Sequence, residues 1–135
     1  MLGDLILEID DQLRQLGEPY IYCGSISLYL NGMTDYITDF SDIDIDFFTV
    51  IDELDLIQIP ISFICGKPID KMRKIDGIER RYHKIVFCNR EFLISDLDYE
   101  LETKLRFIED KNYFYRDKAI MRIKQIQEFI NKQNS

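Results

Sequence analysis

The sequence is poor in the cysteines from which disulfide frameworks and zinc sites are built. Its three cysteines, Cys23, Cys65 and Cys88, are widely spaced and form no CxxC pair. An odd number of isolated thiols argues against both a disulfide framework and a zinc site. No apolar run approaches the roughly 20 residues that would span a bilayer, and residues 1–16 carry acids in place of a cationic leader. We therefore expect a cytoplasmic, reduced protein without a membrane segment.

Positive charge is also scarce. Lys and Arg number 17 against 25 Asp and Glu, so the formal net charge is −8. Such a surface repels phosphate backbones and disfavours broad nonspecific nucleic-acid binding, although a local basic patch such as residues 67–81 can persist. Apolar residues make up 46% of the chain, which is enough for the core of one domain over residues 1–135, a length too short for two ordinary domains.

Alternating acids and isoleucines mark residues 42–46. Asp42, Asp44 and Asp46 alternate with Ile43 and Ile45, and this period of two predicts a strand with its carboxylates on one face and its isoleucines in a core. Three neighbouring carboxylates repel one another, and folding alone gives no reason to group them. A bound divalent cation would relieve the repulsion, because hard oxygen ligands suit Mg²⁺, Mn²⁺ or Ca²⁺.

Two other interpretations fit the same acids. Asp42, Asp44, Asp46 and Glu53 match positions 1, 3, 5 and 12 of an EF-hand calcium loop. That loop needs glycine at its sixth position, where this chain has Phe47, and it joins two helices, whereas this run is strand-like. The second alternative is a solvated acidic edge strand that binds no ligand.

A glycine-serine turn precedes the acidic run. Residues 20–23 indicate a short buried strand, Gly24-Ser25 a tight turn and residues 26–31 a helix that ends at Gly32. Glycine permits a tight turn and the close approach of a ligand, and the first amides of a helix form an anion site. A triphosphate would fit at such a turn.

Together, Gly24-Ser25 and Ser41-Asp42-Ile43-Asp44 resemble the Gly-Ser turn and the Asp-apolar-Asp strand of the nucleotidyltransferase superfamily. In particular, the chain is similar to the small single-domain bacterial nucleotidyltransferases, which include antibiotic adenylyltransferases and partners from toxin-antitoxin pairs. The resemblance implies an α/β (α+β) fold in which a small mixed sheet carries the acids and helices flank it.

The resemblance also implies a reaction, the metal-dependent transfer of a nucleoside monophosphate, in the first place AMP from ATP, to an acceptor. Asp42 and Asp44 would hold Mg²⁺ or Mn²⁺ against the phosphates. Gly24 and Ser25 would bind the phosphate tail through backbone amides and a hydroxyl, and Lys104 would be a charge partner of the triphosphate. The acceptor stays open between a small molecule, a protein side chain and an RNA end. Because single-domain members often complete the acceptor site with a second subunit, we expect a homodimer or a protein partner.

A third carboxylate is the part of the superfamily pattern that this sequence meets least well. In many members a later strand carries it, but the next strand candidate, residues 59–65, has no acid, and the acids that follow are Asp70, Asp76 and Glu79. Asp46 can substitute from the acidic strand itself, so the candidate catalytic acids are Asp42, Asp44 and Asp46, with Asp76 as another candidate for activating the acceptor. Two rival functions are an inactive nucleotidyltransferase-fold protein acting as an antitoxin or regulatory partner, and a structural metal-binding domain.

Helical patterns occupy both ends of the chain. Apolar spacing predicts a helix over residues 2–16 that Gly17 and Pro19 end. Residues 95–98 resemble a capping box ahead of a second helix. On that helix, Glu100 and Lys104 are either a surface pair or side chains directed to the nucleotide. Tyr115-Arg116-Asp117-Lys118 opens a last helix, a start similar to that in the C-terminal half of several small nucleotidyltransferases.

Overall fold

The computed structural model describes residues 2–48, 63–71 and 77–134. Its helices are α1 (Leu2–Leu13), α2 (Gly24–Leu30), α3 (Leu97–Phe107) and α4 (Arg116–Gln133), and a 3₁₀ turn at Arg14–Leu16 extends α1. Its strands are β1 (Tyr20–Tyr22), β2 (Ile43–Phe47), β3 (Phe63–Ile64), β4 (Lys67–Lys71), β5 (Tyr82–Phe87) and β6 (Arg90–Ser95). The described residues thus form the mixed α/β (α+β) class that the resemblance implied.

In the described parts of the chain, the strands form one mixed sheet in the order β3-β4-β2-β1-β6-β5. β2 pairs antiparallel with β1 and parallel with β4, and the second pairing sets Asp44 opposite Asp70. The acidic strand is therefore an interior strand, so the interpretation as a solvated edge strand is wrong. The EF-hand interpretation is also wrong, because that motif needs a loop between two helices at this position.

The alternation in β2 determines which way its side chains project. Ile43 and Ile45 are fully buried and belong to a core cluster that also takes Ile6, Ile9 and Leu13 from α1. Burying one such side chain contributes about 1.5–3 kcal/mol. The isoleucines therefore fix the inward face of β2, and the acids that alternate with them project from the other face.

Several boundaries differ from the sequence-based expectations. The α-helix at the start of the chain ends at Leu13, and the 3₁₀ turn after it is closed by Gly17 at a φ of 71°. Residues 67–71, the first part of the basic patch, form β4, and the sequence analysis did not predict β6. The strand expected over residues 59–65 is described only as β3, and Glu53 and Asp76 lie outside the described residues.

The expected capping box at the start of α3 is absent. Asp96 is the N-terminal cap residue, but its side chain makes no capping hydrogen bond. Its carboxylate is instead hydrogen-bonded to His83 Nδ1, and the Ser95 hydroxyl donates to the carbonyl oxygen of Tyr22. The local pattern assigned both side chains to the helix. Instead, the Ser95 side chain links β6 to β1, and the Asp96 side chain links the start of α3 to β5.

Candidate functional site

A cavity of about 580 Å³ lies where the β1–α2 turn, the start of β2, β4, α3 and α4 meet. This volume is typical of small-molecule sites. Five residues that the sequence analysis assigned to the site lie on its wall: Gly24, Ser25, Asp42, Asp44 and Lys104. They come from the start of α2, the start of β2 and from α3, so the fold brings together residues that the sequence distributes over about 80 positions.

The carboxylates of Asp42, Asp44 and Asp70 form one group on this wall. One oxygen of each lies within 4.8 Å of an oxygen of the other two. Asp42 directly precedes β2, Asp44 lies within it, and Asp70 faces Asp44 across the parallel pairing of β2 with β4. Asp70 therefore occupies the position that the sequence analysis left open, a third carboxylate on a strand beside the first two.

Burial and the neighbouring negative charges raise the pKa values of Asp44 and Asp70. Burial, and then the negative charges of Asp42, Glu100 and Asp70, raise the pKa of Asp44 to about 8. Burial, together with a hydrogen bond to Asp42 and its charge, raises the pKa of Asp70 to about 6. Three oxygen donors in close contact with excess negative charge match the ligand preference of a hard divalent cation, so the residues fit the Mg²⁺ or Mn²⁺ that the resemblance implies.

Asp46 does not join this group among the residues that the structure describes. Its carboxylate forms an ion pair with Arg80, farther along the same face of β2. The same guanidinium donates to Cys23 Sγ at 3.3 Å and lies 5.7 Å from the ring of Tyr99. Asp46 thus already has a counter-charge, and its catalytic role stays a prediction, whereas Asp70 is the acid that the fold adds to Asp42 and Asp44.

Gly24 allows the turn to pack directly against Asp44. Its φ of 59° is in the left-handed region, and a Cβ built on it would come 2.1 Å from Asp44 Oδ2 and 2.9 Å from its Cγ. Every other amino acid would therefore displace the carboxylate. The phosphate-binding role of the Gly24 amide stays a prediction; in this structure its N–H donates to Glu100 Oε1 at 2.9 Å. Ser25 lies beside it on the cavity wall.

Glu100 is buried, Lys104 is half-buried, and both line the cavity, so their interpretation as a simple surface pair is wrong. Glu100 is 3% exposed, and its Oε1 accepts from both the Gly24 amide and Lys104 Nζ, the latter at 3.0 Å. A buried carboxylate is tolerated when such donors satisfy it. Glu100 therefore ties α3 to the glycine turn and fixes the Lys104 ammonium beside the carboxylates.

The far wall of the cavity comes from residues that the sequence analysis did not assign to a site. Tyr113 and Tyr115 precede α4, and their ring centroids lie 6.0 Å apart. Lys118 and Arg122 follow on α4 and complete the wall. The only local signal was the basic start of this helix, and nothing in the sequence indicates which face of α4 meets the cavity.

The cavity therefore combines a hard-cation site with ammonium and guanidinium groups on one concave surface. Comparisons of the chain with protein-family models, curated proteins and solved structures find no match. Among the helices that the structure describes, none has the length and apolar character needed to cross a membrane.

Proposed function

We propose that this protein is a metal-dependent nucleotidyltransferase that transfers a nucleoside monophosphate, in the first place AMP from ATP, to an acceptor. The observation that carries the proposal is the group formed by Asp42, Asp44 and Asp70, whose oxygens lie within 4.8 Å of one another on a cavity wall. Their oxygen donors would hold Mg²⁺ or Mn²⁺. The cation would neutralise the charge that develops on the α-phosphate and on the pyrophosphate leaving group.

The chain's own residues have distinct roles in this proposal. Lys104 keeps one hydrogen bond to Glu100, and an ammonium has three donors, so it can also donate to a triphosphate. The Ser25 hydroxyl lies on the same wall and binds the phosphate tail. Asp70 is the most exposed of the three acids, and it accepts the proton of the acceptor hydroxyl. Holding donor and acceptor in one cavity supplies the orientation that phosphoryl transfer requires.

The main rival is an inactive nucleotidyltransferase-fold protein that acts as an antitoxin or regulatory partner. Its support in the sequence was the lack of a third carboxylate on a strand beside the first two. Asp70 removes this argument, because it lies opposite Asp44 on β4. A purely structural metal site would have no use for the pair of Lys104 with the buried Glu100 on the same wall, so the enzyme is the better account.

Calorimetric titration with nucleoside triphosphates, with and without Mg²⁺ or Mn²⁺, tests the proposal. We expect Mg²⁺ or Mn²⁺ to strengthen triphosphate binding by the wild type, and the variant Asp42→Asn/Asp44→Asn to lose this metal-dependent binding, because two of the three metal ligands become neutral. The matched control is Asp4→Asn/Asp35→Asn, which removes the same charge at two exposed positions outside the cavity and should bind like the wild type.

Three outcomes of this titration would change the assignment. If no triphosphate binds to the wild type, the proposal is wrong. Metal-dependent binding that persists in Asp42→Asn/Asp44→Asn would move the metal to another site. Metal-dependent binding without pyrophosphate release, in a screen of small-molecule, protein and RNA acceptors, would favour the inactive binding protein.

A further inference from the structure

Two cations on the cavity wall have only neutral partners among the described residues. Lys118 and Arg122 are one helical turn apart on α4, and both line the cavity. Lys118 Nζ donates to the hydroxyl of Ser41 at 3.0 Å, and Arg122 Nη1 donates to the side-chain oxygen of Gln125 at 2.8 Å. Residues four apart lie on the same face of a helix, so the two cationic groups are directed to one region.

Arg122 has no carboxylate partner among the described residues. Arg14, Arg80, Arg81 and Arg90 each form an ion pair with a carboxylate, whereas Arg116 donates to the carbonyl oxygen of Ile108 and Arg122 donates to Gln125. Arg122 is half-buried, and burial lowers its pKa with no opposing contribution from an acid. A desolvated guanidinium without a counter-ion is unfavourable. An anion from solution would remove this cost, and the cavity gives such an anion access.

The other cation of the cavity is already compensated. Lys104 pairs with Glu100 at 3.0 Å, whereas Lys118 and Arg122 keep their charge for a ligand. Through Ser41, Lys118 adjoins the carboxylate group, because the Ser41 hydroxyl lies 3.5 Å from Asp42 Oδ1. An anion bound by Lys118 and Arg122 would therefore lie beside the proposed metal, not in its place.

We propose that Lys118 and Arg122 form a phosphate subsite, which we call the α4 subsite. A phosphate group suits it because its several oxygens can accept from an ammonium and a guanidinium at once. The group has two possible sources, the terminal phosphate of the nucleoside triphosphate or a phosphate carried by the acceptor. Phosphate binding itself does not require the metal; only the place of the α4 subsite in a reaction rests on the proposed function.

Titration with inorganic phosphate or pyrophosphate in metal-free buffer, at low and high salt, tests the α4 subsite. We expect saturable binding by the wild type that weakens with salt. Arg122→Gln and Lys118→Gln should each weaken it about tenfold or more, the effect of one lost charge-assisted hydrogen bond. Arg122→Lys keeps the charge and should lose less. The control is Lys124→Gln, which removes a charge at an exposed position of the same helix outside the cavity.

Two results would overturn the α4 subsite. One is the absence of saturable phosphate binding by the wild type at millimolar concentrations. The other is unchanged affinity in both Lys118→Gln and Arg122→Gln, with unaltered thermal unfolding. These results are independent of the proposed function, because Asp42→Asn/Asp44→Asn should retain metal-free phosphate binding even though it loses metal-dependent triphosphate binding.

A comparison of nucleoside mono-, di- and triphosphates in the presence of Mg²⁺ distinguishes the two sources. If the loss of nucleotide affinity in Arg122→Gln increases from the monophosphate to the triphosphate, the α4 subsite is assigned to the terminal phosphate. In the second arm, both proteins are first saturated with nucleotide and then titrated with inorganic phosphate. If phosphate still binds to the wild type but not to Arg122→Gln, the α4 subsite is assigned to a phosphate on the acceptor. Either pattern supports the α4 subsite.

Discussion

Gly24 is the residue on which the geometry of the carboxylate group most depends. Its lack of a side chain lets Asp44 lie directly against the turn, since an added Cβ would approach Asp44 Oδ2 to 2.1 Å. Its amide is held by the buried carboxylate of Glu100. The glycine thus positions one metal ligand by its shape, whereas the sequence pattern had suggested that it binds phosphate through its amide.

Gly24→Ala is expected to abolish metal binding. The new methyl group must displace the Asp44 carboxylate, and alanine at positive φ also destabilises the fold by about 1–2 kcal/mol. Gly66→Ala is a matched control, because Gly66 has a φ of 74° but no atom of the described residues lies within 4 Å of an added Cβ. Urea unfolding and Mn²⁺ titration of both variants separate the two effects. Equal Mn²⁺ affinities in the two variants would contradict the positioning role of Gly24.

The contrast between Asp46 and Asp70 shows how far local sequence reasoning reaches. The period of two correctly predicted that Asp42, Asp44 and Asp46 share a face of β2, and the burial of Ile43 and Ile45 agrees with it. Alternation predicts which side chains share a face of a strand, but it does not predict which other strand pairs with it. The parallel pairing that sets Asp70 opposite Asp44, and the ion pair of Asp46 with Arg80, both depend on contacts distant in sequence.

Elements with a local signal were predicted better than elements that depend on pairing. The apolar stripe of α1 and the turn before α2 were readable, because helix periodicity and glycine act within a few residues. β4 and β6 were missed because neither has a clean alternation, and their places in the sheet come from their partners. The sequence also did not predict which face of α4 lines the cavity, because the core residues and the cavity residues of this helix both follow helical spacing.

α1 is anchored to the sheet by one buried carboxylate. Asp10 is 2% exposed, and it accepts from Arg14 and Arg90 and, at 2.7 Å, from both phenols of Tyr20 and Tyr22. Burial would raise the pKa of Asp10, but these hydrogen bonds outweigh it and hold the pKa below its ordinary value. The carboxylate therefore joins α1 to β1 and β6, next to the strand that carries the candidate site.

Asp10→Ala should destabilise the protein by about 2–5 kcal/mol, because it leaves two phenols, of which that of Tyr22 is fully buried, without their acceptor and removes the shared partner of Arg14 and Arg90. The neighbouring Asp11 contacts the same Arg90 at 2.8 Å but is 63% exposed. Asp11→Ala should therefore change stability by less than about 1 kcal/mol. Urea unfolding of both variants measures the difference. Similar midpoints for the two variants would mean that Asp10 does not anchor α1.

In the metal-free protein, the carboxylates of Asp42, Asp44 and Asp70 repel one another, and the negative charge of the whole molecule adds to this repulsion. The chain has a formal net charge of −8, and among the described residues four carboxylates on the cavity wall face three cations, one of which already pairs with Glu100. One bound divalent cation would give these described wall residues a positive balance, which favours polyphosphate binding. Metal binding should therefore precede and strengthen triphosphate binding.

The metal-free protein should become less stable as pH rises from 5 to 8. The pKa of Asp44 is raised to about 8 and that of Asp70 to about 6, whereas an unfolded aspartate has a pKa near 3.9. Between these values the native state binds more protons than the unfolded state, so the stabilisation is complete below about pH 4 and is lost as pH rises through the folded pKa values. Mn²⁺ needs the ionised carboxylates, and its stabilising effect should therefore increase over the same range.

Thermal unfolding from pH 5 to 8, with and without Mn²⁺, measures both effects. Asp44→Asn removes the ionisation with the largest shift, so this variant should lose most of the pH dependence and most of the Mn²⁺ response together. Asp35→Asn, an exposed aspartate outside the cavity, should keep both. If the metal-free wild type instead becomes more stable towards pH 8, the carboxylates of the cavity are not under repulsion, and the argument for a cation between Asp42, Asp44 and Asp70 loses its energetic basis.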